Sequence, residues 1–146
     1  MYEKYSKQAL PSKNYRELLG TAIYVFNSNN SFIIENVLRC DEAGDFDWYM
    51  LTDWQAGKVK ERAKHIIEEK LGKEIFLLFD DIIEKRNRIV HSFPVTNQGG
   101  EQVLRTKNRA QSEKGNRQFE ISEDFLLGFI RMNDTLSNML HGVRGY

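Results

Sequence analysis

One apolar segment, residues 73–91, constrains the fold of this chain more than any other part of the sequence. Its residues 75–79 (IFLLF) would be apolar on nearly every face of a helix, and the segment turns basic only from Lys85 onward. Pro94 follows shortly afterwards, and a proline cannot continue a helix. The sequence therefore predicts a central buried helix whose last turn emerges at the edge of the core.

Apolar residues at helical spacing predict three further helical segments. The first starts at an Asn14 cap, and residues 27–31 (NSNNS) should end or kink it because such side chains compete for backbone hydrogen bonds. The second covers residues 55–71 and ends at Gly72, so that the central helix should run back antiparallel to it. The last begins at a Ser122 cap.

Length and composition indicate one domain, residues 1–146, with a packed core. Of the 146 residues 40% are hydrophobic, which gives apolar area to offset the entropy of ordering the chain, and two prolines leave room for long helices. Residues 1–13 are polar and are expected to form an N-terminal arm. We expect an all-α fold, an up-and-down bundle of four to five helices with a small basic β-hairpin inserted before the last helix.

Residues 95–121 are predicted to form this basic loop and hairpin. Residues 103–107 and 117–121 alternate weakly, as short strands do, and residues 114–116 (KGN) offer a turn between them. Eight Lys or Arg residues and two Glu residues fall between positions 85 and 117, although the whole chain has a formal net charge of zero. A locally basic third fits a site for a polyanion, and a solvated charged loop is the competing interpretation.

Residues 40–54 have the opposite character. An acidic loop, residues 41–47, leads into an aromatic cluster with no clean helical period. Such a cluster favours a place in the core or in a subunit interface, and stacking on an unpaired base is the other interpretation. The cluster consists of Phe46, Trp48, Tyr49, Met50 and Trp54.

The last turn of the central helix combines Arg86, Asn87 and His91. An arginine binds phosphate through two parallel hydrogen bonds, and a histidine exchanges protons near neutral pH. Asn87, four residues before His91, lies on nearly the same helical face, where its amide could orient the imidazole or bind a phosphate oxygen. The competing interpretation is that the cations of this turn only complement the helix dipole, each by roughly 0.3–1 kcal/mol.

This Arg-Asn-x3-His pattern in a helical chain resembles the HEPN superfamily, a group of small all-helical proteins. The resemblance implies a metal-independent ribonuclease without a cofactor, in which Arg86, Asn87 and His91 are catalytic and two motifs face one cleft in a homodimer. It also implies a setting in toxin–antitoxin or anti-phage defence, with an antitoxin or regulatory protein as a further partner. Other members are inactive, so the alternative is a non-catalytic module that binds nucleotide, RNA or a protein.

The spacing of the motif gives a separate reason to expect a homodimer. Five residues along a helix correspond to about 140° of rotation, so Arg86 and His91 point apart within one chain. Two copies related by a two-fold axis would supply both groups from opposite walls. Basic side chains around the cleft would then contact RNA phosphates. These expected RNA-binding residues are Lys85, Arg88, Arg105, Lys107 and Arg109.

The chain departs from the family at Phe93, two residues after His91. Members controlled by a nucleotidyltransferase antitoxin often have a tyrosine there, to which nucleotide is attached. A phenyl ring has no hydroxyl group, so this form of control is not expected at this position.

Three further features narrow the function. A single cysteine, Cys40, excludes an internal disulfide and a cysteine-rich metal site. Neither a signal peptide nor an apolar run of membrane-spanning length is found, so a cytoplasmic protein without a membrane partner is expected. A helical DNA-binding module is disfavoured because no short helix-turn-helix with a polar recognition helix stands out.

Overall fold

The computed structural model describes residues 3–107 and 118–144 and consists mostly of helices. In the described residues no helix is both long and apolar enough to cross a membrane. The helices are α1 (Lys13–Cys40), α2 (Trp48–Asp53), α3 (Ala56–Arg62), α4 (Lys64–Ile66), a π-helical turn (Ile67–Leu71), α5 (Lys73–Val90) and α6 (Glu123–Arg144). The strands are β1 (Phe93–Thr96), β2 (Gln102–Arg105) and β3 (Glu120–Ile121).

The predicted helical character is confirmed, but the described chain is not clearly the expected bundle of four to five helices. It has six helices and a three-stranded antiparallel sheet. The segment predicted as one helix over residues 55–71 is divided at Ala63 and ends in the π-helical turn, where the Gly72 N–H reaches the Ile67 carbonyl at 2.9 Å. Gly72 ends this segment as predicted, because its φ of +121° is unfavourable for other residues.

The predicted end of the first helix at residues 27–31 is wrong, since α1 continues through them as one helix; the alternative of a bend there stays a prediction. Asn29 is buried there, and its Nδ2 donates to the Asn133 carbonyl at 2.8 Å and to Asn133 Oδ1 at 3.0 Å. The amide therefore bonds to α6 and does not compete for the backbone of α1. The helix also starts earlier than predicted, because Ser12 is its cap and accepts from the Tyr15 N–H at 3.1 Å.

Helices α1 and α6 lie side by side and run parallel. Phe26 stacks with Phe129 near the middle of the pair, at 6.5 Å between ring centroids, and Glu35 meets Arg144 farther along both helices, at 3.5 Å. Helix α5 packs on α6 and ends at the sheet, from which α1 and α6 start, so it runs in the opposite direction. The largest fully buried side chains include Ile33, Phe79, Ile82, Phe129 and Leu136.

The sheet has the strand order β1-β2-β3. The predicted pairing of the two later strands is confirmed in a shorter form, with Leu104 opposite Ile121. Strand β1 was not predicted, since residues 92–94 were expected only to stop the helix. It pairs with β2 from Phe93 opposite Arg105 onward, and Pro94 is tolerated because β1 lies at an edge of the sheet. The predicted turn at residues 114–116 lies outside the described residues.

The Tyr15 side chain joins α1 to the sheet. Its hydroxyl donates to the Ile121 carbonyl at 2.7 Å and accepts from the Leu104 N–H at 3.0 Å, so it lies between two paired strand residues. Burial raises the pKa of this phenol above its ordinary value. The expected N-terminal arm is held nearby, since Arg16 contacts Glu3 at 2.8 Å and the Tyr5 hydroxyl at 2.7 Å.

Candidate functional site

The last turn of α5 is closed by local hydrogen bonds at the edge of the core. Helix α5 ends with His91 as its cap residue, whose N–H donates to the Asn87 carbonyl at 3.0 Å. The Ser92 hydroxyl donates to the Ile89 carbonyl at 2.6 Å and satisfies a second helix-end acceptor. The predicted helix before Pro94 is confirmed as α5, but the expected burial on nearly every side of residues 75–79 is wrong, since Leu77 is 54% exposed.

Arg86 is half-buried and faces α1. It follows Phe79 by seven residues, so both side chains lie on the face of α5 that packs against the core. The centre of its guanidinium is 5.2 Å from the Phe26 ring centroid, and Nη1 donates to Asn87 Oδ1 at 2.9 Å. An aromatic face and an amide oxygen thus hold the cation in place at the margin of the bundle.

The structure brings Asn87 to Arg86 and leaves His91 apart. Asn87 was expected to orient the imidazole or to bind phosphate, but its amide oxygen accepts from Arg86. His91 is exposed at the end of the helix, and no hydrogen bond joins its side chain to Asn87 within residues 3–107 and 118–144. The arrangement within one chain is therefore a positioned guanidinium with a separate, solvent-accessible imidazole.

The position of Arg88 does not fit its expected role as an RNA contact. Its side chain is only 7% exposed, and its guanidinium donates to Thr106 Oγ1 and to the Lys107 carbonyl, each at 3.1 Å. It also covers the Phe119 ring, with 5.1 Å between the guanidinium centre and the ring centroid. Because the strand end after β2 surrounds this group, we assign Arg88 to the joint between α5 and the sheet and not to RNA.

The other expected RNA-binding residues differ in solvent exposure and in whether their charged groups already have a partner. Lys85 Nζ lies 2.7 Å from Asp81 Oδ1, one turn earlier on α5. Arg105 is half-buried on β2 beside Glu120, at an open cavity of about 500 Å³ that also includes the β1–β2 turn. Lys107 is exposed, and its carbonyl contact with Arg88 places it next to the last turn of α5. Arg109 lies outside the described residues.

Two contributors to this site were missed by the sequence reasoning. The sequence predicts Phe26 only as a core residue of α1, whereas in the structure its ring also packs against the Arg86 guanidinium. Thr106 reads as part of a basic strand, yet it is fully buried, and its hydroxyl accepts from Arg88 and from the Phe119 N–H at 2.9 Å. No local signal identifies either role, because both partners come from distant parts of the chain.

In the described ranges no group of three or more His, Cys, Asp or Glu side chains is placed to hold a metal ion. Comparison with known proteins finds no family model, no curated protein and no solved structure that matches this chain.

Proposed function

We propose that this protein is a metal-independent endoribonuclease of the HEPN type, which cleaves single-stranded RNA as a homodimer. One observation carries the proposal. The last turn of α5 holds the Arg86 guanidinium against Phe26 and Asn87 at the edge of the core, while His91 at the end of the same turn remains exposed. A fixed phosphate-binding cation and an accessible proton carrier are the two groups that this reaction needs.

The chemistry divides between these residues. His91 takes the proton of a 2′-hydroxyl group as its oxygen attacks the adjacent phosphorus, and the imidazolium gives that proton to the 5′-oxygen as the bond between phosphorus and the 5′-oxygen breaks. Arg86 neutralises charge on the phosphoryl oxygens, because its planar fork binds two oxygens and stays protonated. Asn87 acts as a positioning residue, since its amide oxygen holds one arm of the guanidinium. The product is an RNA end with a 2′,3′-cyclic phosphate.

The two-fold arrangement follows from the directions of these side chains. Arg86 faces α1, His91 is exposed, and the two residues are separated by about 140° around the helix axis. A single chain therefore offers a poor site. A second copy would place Arg86 of one subunit and His91 of the other on the same phosphodiester. Lys107, the exposed cation beside this turn, would contact flanking phosphates together with Lys85 and Arg105.

Cleavage of single-stranded RNA in the presence of EDTA tests the catalytic claim. Arg86→Ala and His91→Ala should each lower the rate by at least about 100-fold, because proton transfer and phosphate stabilisation each contribute roughly that much. Arg62→Ala and His65→Ala are matched controls, since both residues are exposed on other helices. Wild-type rates in both motif variants, with the folds intact, would refute the active site.

Mixed dimers test whether the site is shared between subunits. Arg86→Ala and His91→Ala subunits, refolded together, should regain part of the activity, since each supplies the group that the other lacks. Wild-type subunits mixed with a variant that carries both Arg86→Ala and His91→Ala should lose activity per wild-type subunit. In such a mixed dimer both intact side chains lie in one chain, so neither shared site is complete. The opposite pair of results would place the active pair within a single subunit.

A non-catalytic module is the second candidate, and one observation favours it. Arg86 and Arg88, the two arginines in the last turn of α5, already have partners within the chain, so packing alone explains why these residues are charged. This candidate expects RNA or nucleotide to be retained without turnover, with an affinity that falls as the salt concentration rises. A binding assay beside the cleavage assay separates the two candidates.

A further inference from the structure

Helix α2 presents three consecutive large apolar side chains to solvent, and the two aromatic ones, Trp48 and Tyr49, form what we call the aromatic face. Trp48 is 42% exposed, Tyr49 84% and Met50 36%. The sequence favoured a place in the core or in an interface for these residues. Because they are exposed, a place in the core is excluded for this part of the cluster. Trp48 and Tyr49 are sequence neighbours about 100° apart around the helix axis, and exposed Trp and Tyr side chains are typical of interaction sites.

The helix that carries the aromatic face is capped and packed on the core. Asp47 caps α2 by accepting from the Met50 N–H at 2.8 Å, and Leu51 inserts into the core with no exposed surface. Phe46 and Trp54 brace the two ends of the helix by an edge-to-face contact with 6.2 Å between centroids. The exposed rings are therefore presented by an ordered, anchored helix, and binding would cost little ordering entropy.

The loop and helix that carry the aromatic face contain only acidic charges. Five Asp or Glu residues and no Lys or Arg lie between Arg39 and Lys58. Asp45 and Asp53 are exposed and form no salt bridge with a described residue, and Glu42 has only a 3.6 Å pairing with Lys70. Such a field repels phosphates and attracts cations. It argues against stacking of RNA bases on these rings and for a basic partner.

One contact inside the molecule shows how a cation fits this cluster. The Lys58 ammonium lies over the Trp54 ring, 4.6 Å from its centroid. The rings of Trp48 and Tyr49 have no such cation among the described residues. They offer further faces at which Lys or Arg side chains of a partner would be attracted.

We infer that the aromatic face of α2 docks a short basic amphipathic segment of a partner protein. Lysine or arginine side chains lie over Trp48 and Tyr49 and reach Asp45 and Asp53, while aliphatic side chains pack on the edges of the same two rings. The occupant is a linear segment because a six-residue helix is about 9 Å long. That length offers far less area than the roughly 800 Å² per partner of a standard interface between folded domains.

Fluorescence anisotropy with a labelled twelve-residue peptide tests this surface. The peptide contains lysine, arginine and leucine, with the leucines at helical spacing, and the control peptide has the leucines replaced by serine. Tyr49→Ala should weaken binding about fivefold, the loss expected for one solvent-exposed cation–π contact. Tyr24→Ala is the matched control, since this tyrosine is 75% exposed on α1 and remote from the acidic loop. Asp45→Asn with Asp53→Asn should weaken binding and reduce its salt dependence.

Several outcomes would overturn the inference. They are no saturable binding of the leucine peptide, equal binding of the serine peptide, or unchanged affinity in Tyr49→Ala. Self-association of the chain that is lost in Tyr49→Ala would assign the face to a second copy instead. None of these results depends on RNA cleavage, so the docking surface and the proposed ribonuclease stand or fall separately.

Discussion

The two sides of the last turn of α5 use the same residue type for different purposes. Arg86 lies on the side of α1, half-buried, with its guanidinium over one aromatic ring and bonded to its own neighbour Asn87. Arg88 lies on the side of the sheet, buried, with its guanidinium bonded to a hydroxyl and a carbonyl eighteen and nineteen residues away. Two equal charges therefore differ in role because the opposing elements offer different partners, and a basic turn by itself does not reveal which cation is open to a ligand.

Removal of Arg88 should give the largest loss of stability. Arg88→Ala breaks two charge-assisted hydrogen bonds and uncovers Phe119, so the free energy of unfolding should fall by about 1.5–3 kcal/mol. Urea denaturation measures the change, and Arg62→Ala, an exposed arginine on α3, is the control. A loss below about 0.5 kcal/mol, the range of ordinary surface substitutions, would show that Arg88 does not anchor the sheet.

Tyr15→Phe should have the next largest effect on the sheet side. It leaves the Leu104 N–H and the Ile121 carbonyl without the hydroxyl, which should cost about 1–2 kcal/mol in the same denaturation assay. Burial raises the pKa of this phenol, so above about pH 10 the unfolded chain binds fewer protons than the folded one and stability falls as the pH rises. The phenylalanine variant should lose part of this alkaline decline, and an unchanged pH profile would contradict the assignment.

Removal of Arg86 should give the smallest loss of stability, which sharpens the contrast between the two sides. Arg86→Ala removes one contact with Phe26 and one hydrogen bond at a half-buried position, so about 0.5–1 kcal/mol is expected. The same variant should lose RNA cleavage. If Arg86→Ala were as destabilising as Arg88→Ala, both arginines would be structural, and the non-catalytic candidate would gain.

Local signals predicted the helices well where the chain decides its own conformation. The apolar face of α5, its stop before Pro94, the end of the preceding segment at Gly72 and the Ser122 cap of α6 all follow from residues within a few positions of each other. Side-chain periodicity and end-capping depend on residues that are close along the chain, and therefore a single sequence is enough to predict them.

Other features could not be read locally, because they depend on partners far along the chain. Residues 27–31 carry a helix-breaking composition, yet α1 continues because Asn29 bonds to Asn133, 104 positions away. Strand β1 exists because β2 lies beside it, and an edge position accommodates Pro94. Trp48 and Tyr49 are exposed whereas Leu51 on the same helix is buried, and this difference is likewise set by how α2 packs on the core.

The amino-acid sequence by itself predicted a helical chain with a basic turn at the end of the helix over residues 73–91, and it singled out Arg86, Asn87 and His91 as candidate catalytic residues. Only the tertiary structure decided that Asn87 holds Arg86, that Arg88 belongs to the sheet and that α2 carries an exposed aromatic face. The reason is that backbone conformation responds to neighbours along the chain, whereas the task of a charged or aromatic side chain depends on the group that folding places opposite it.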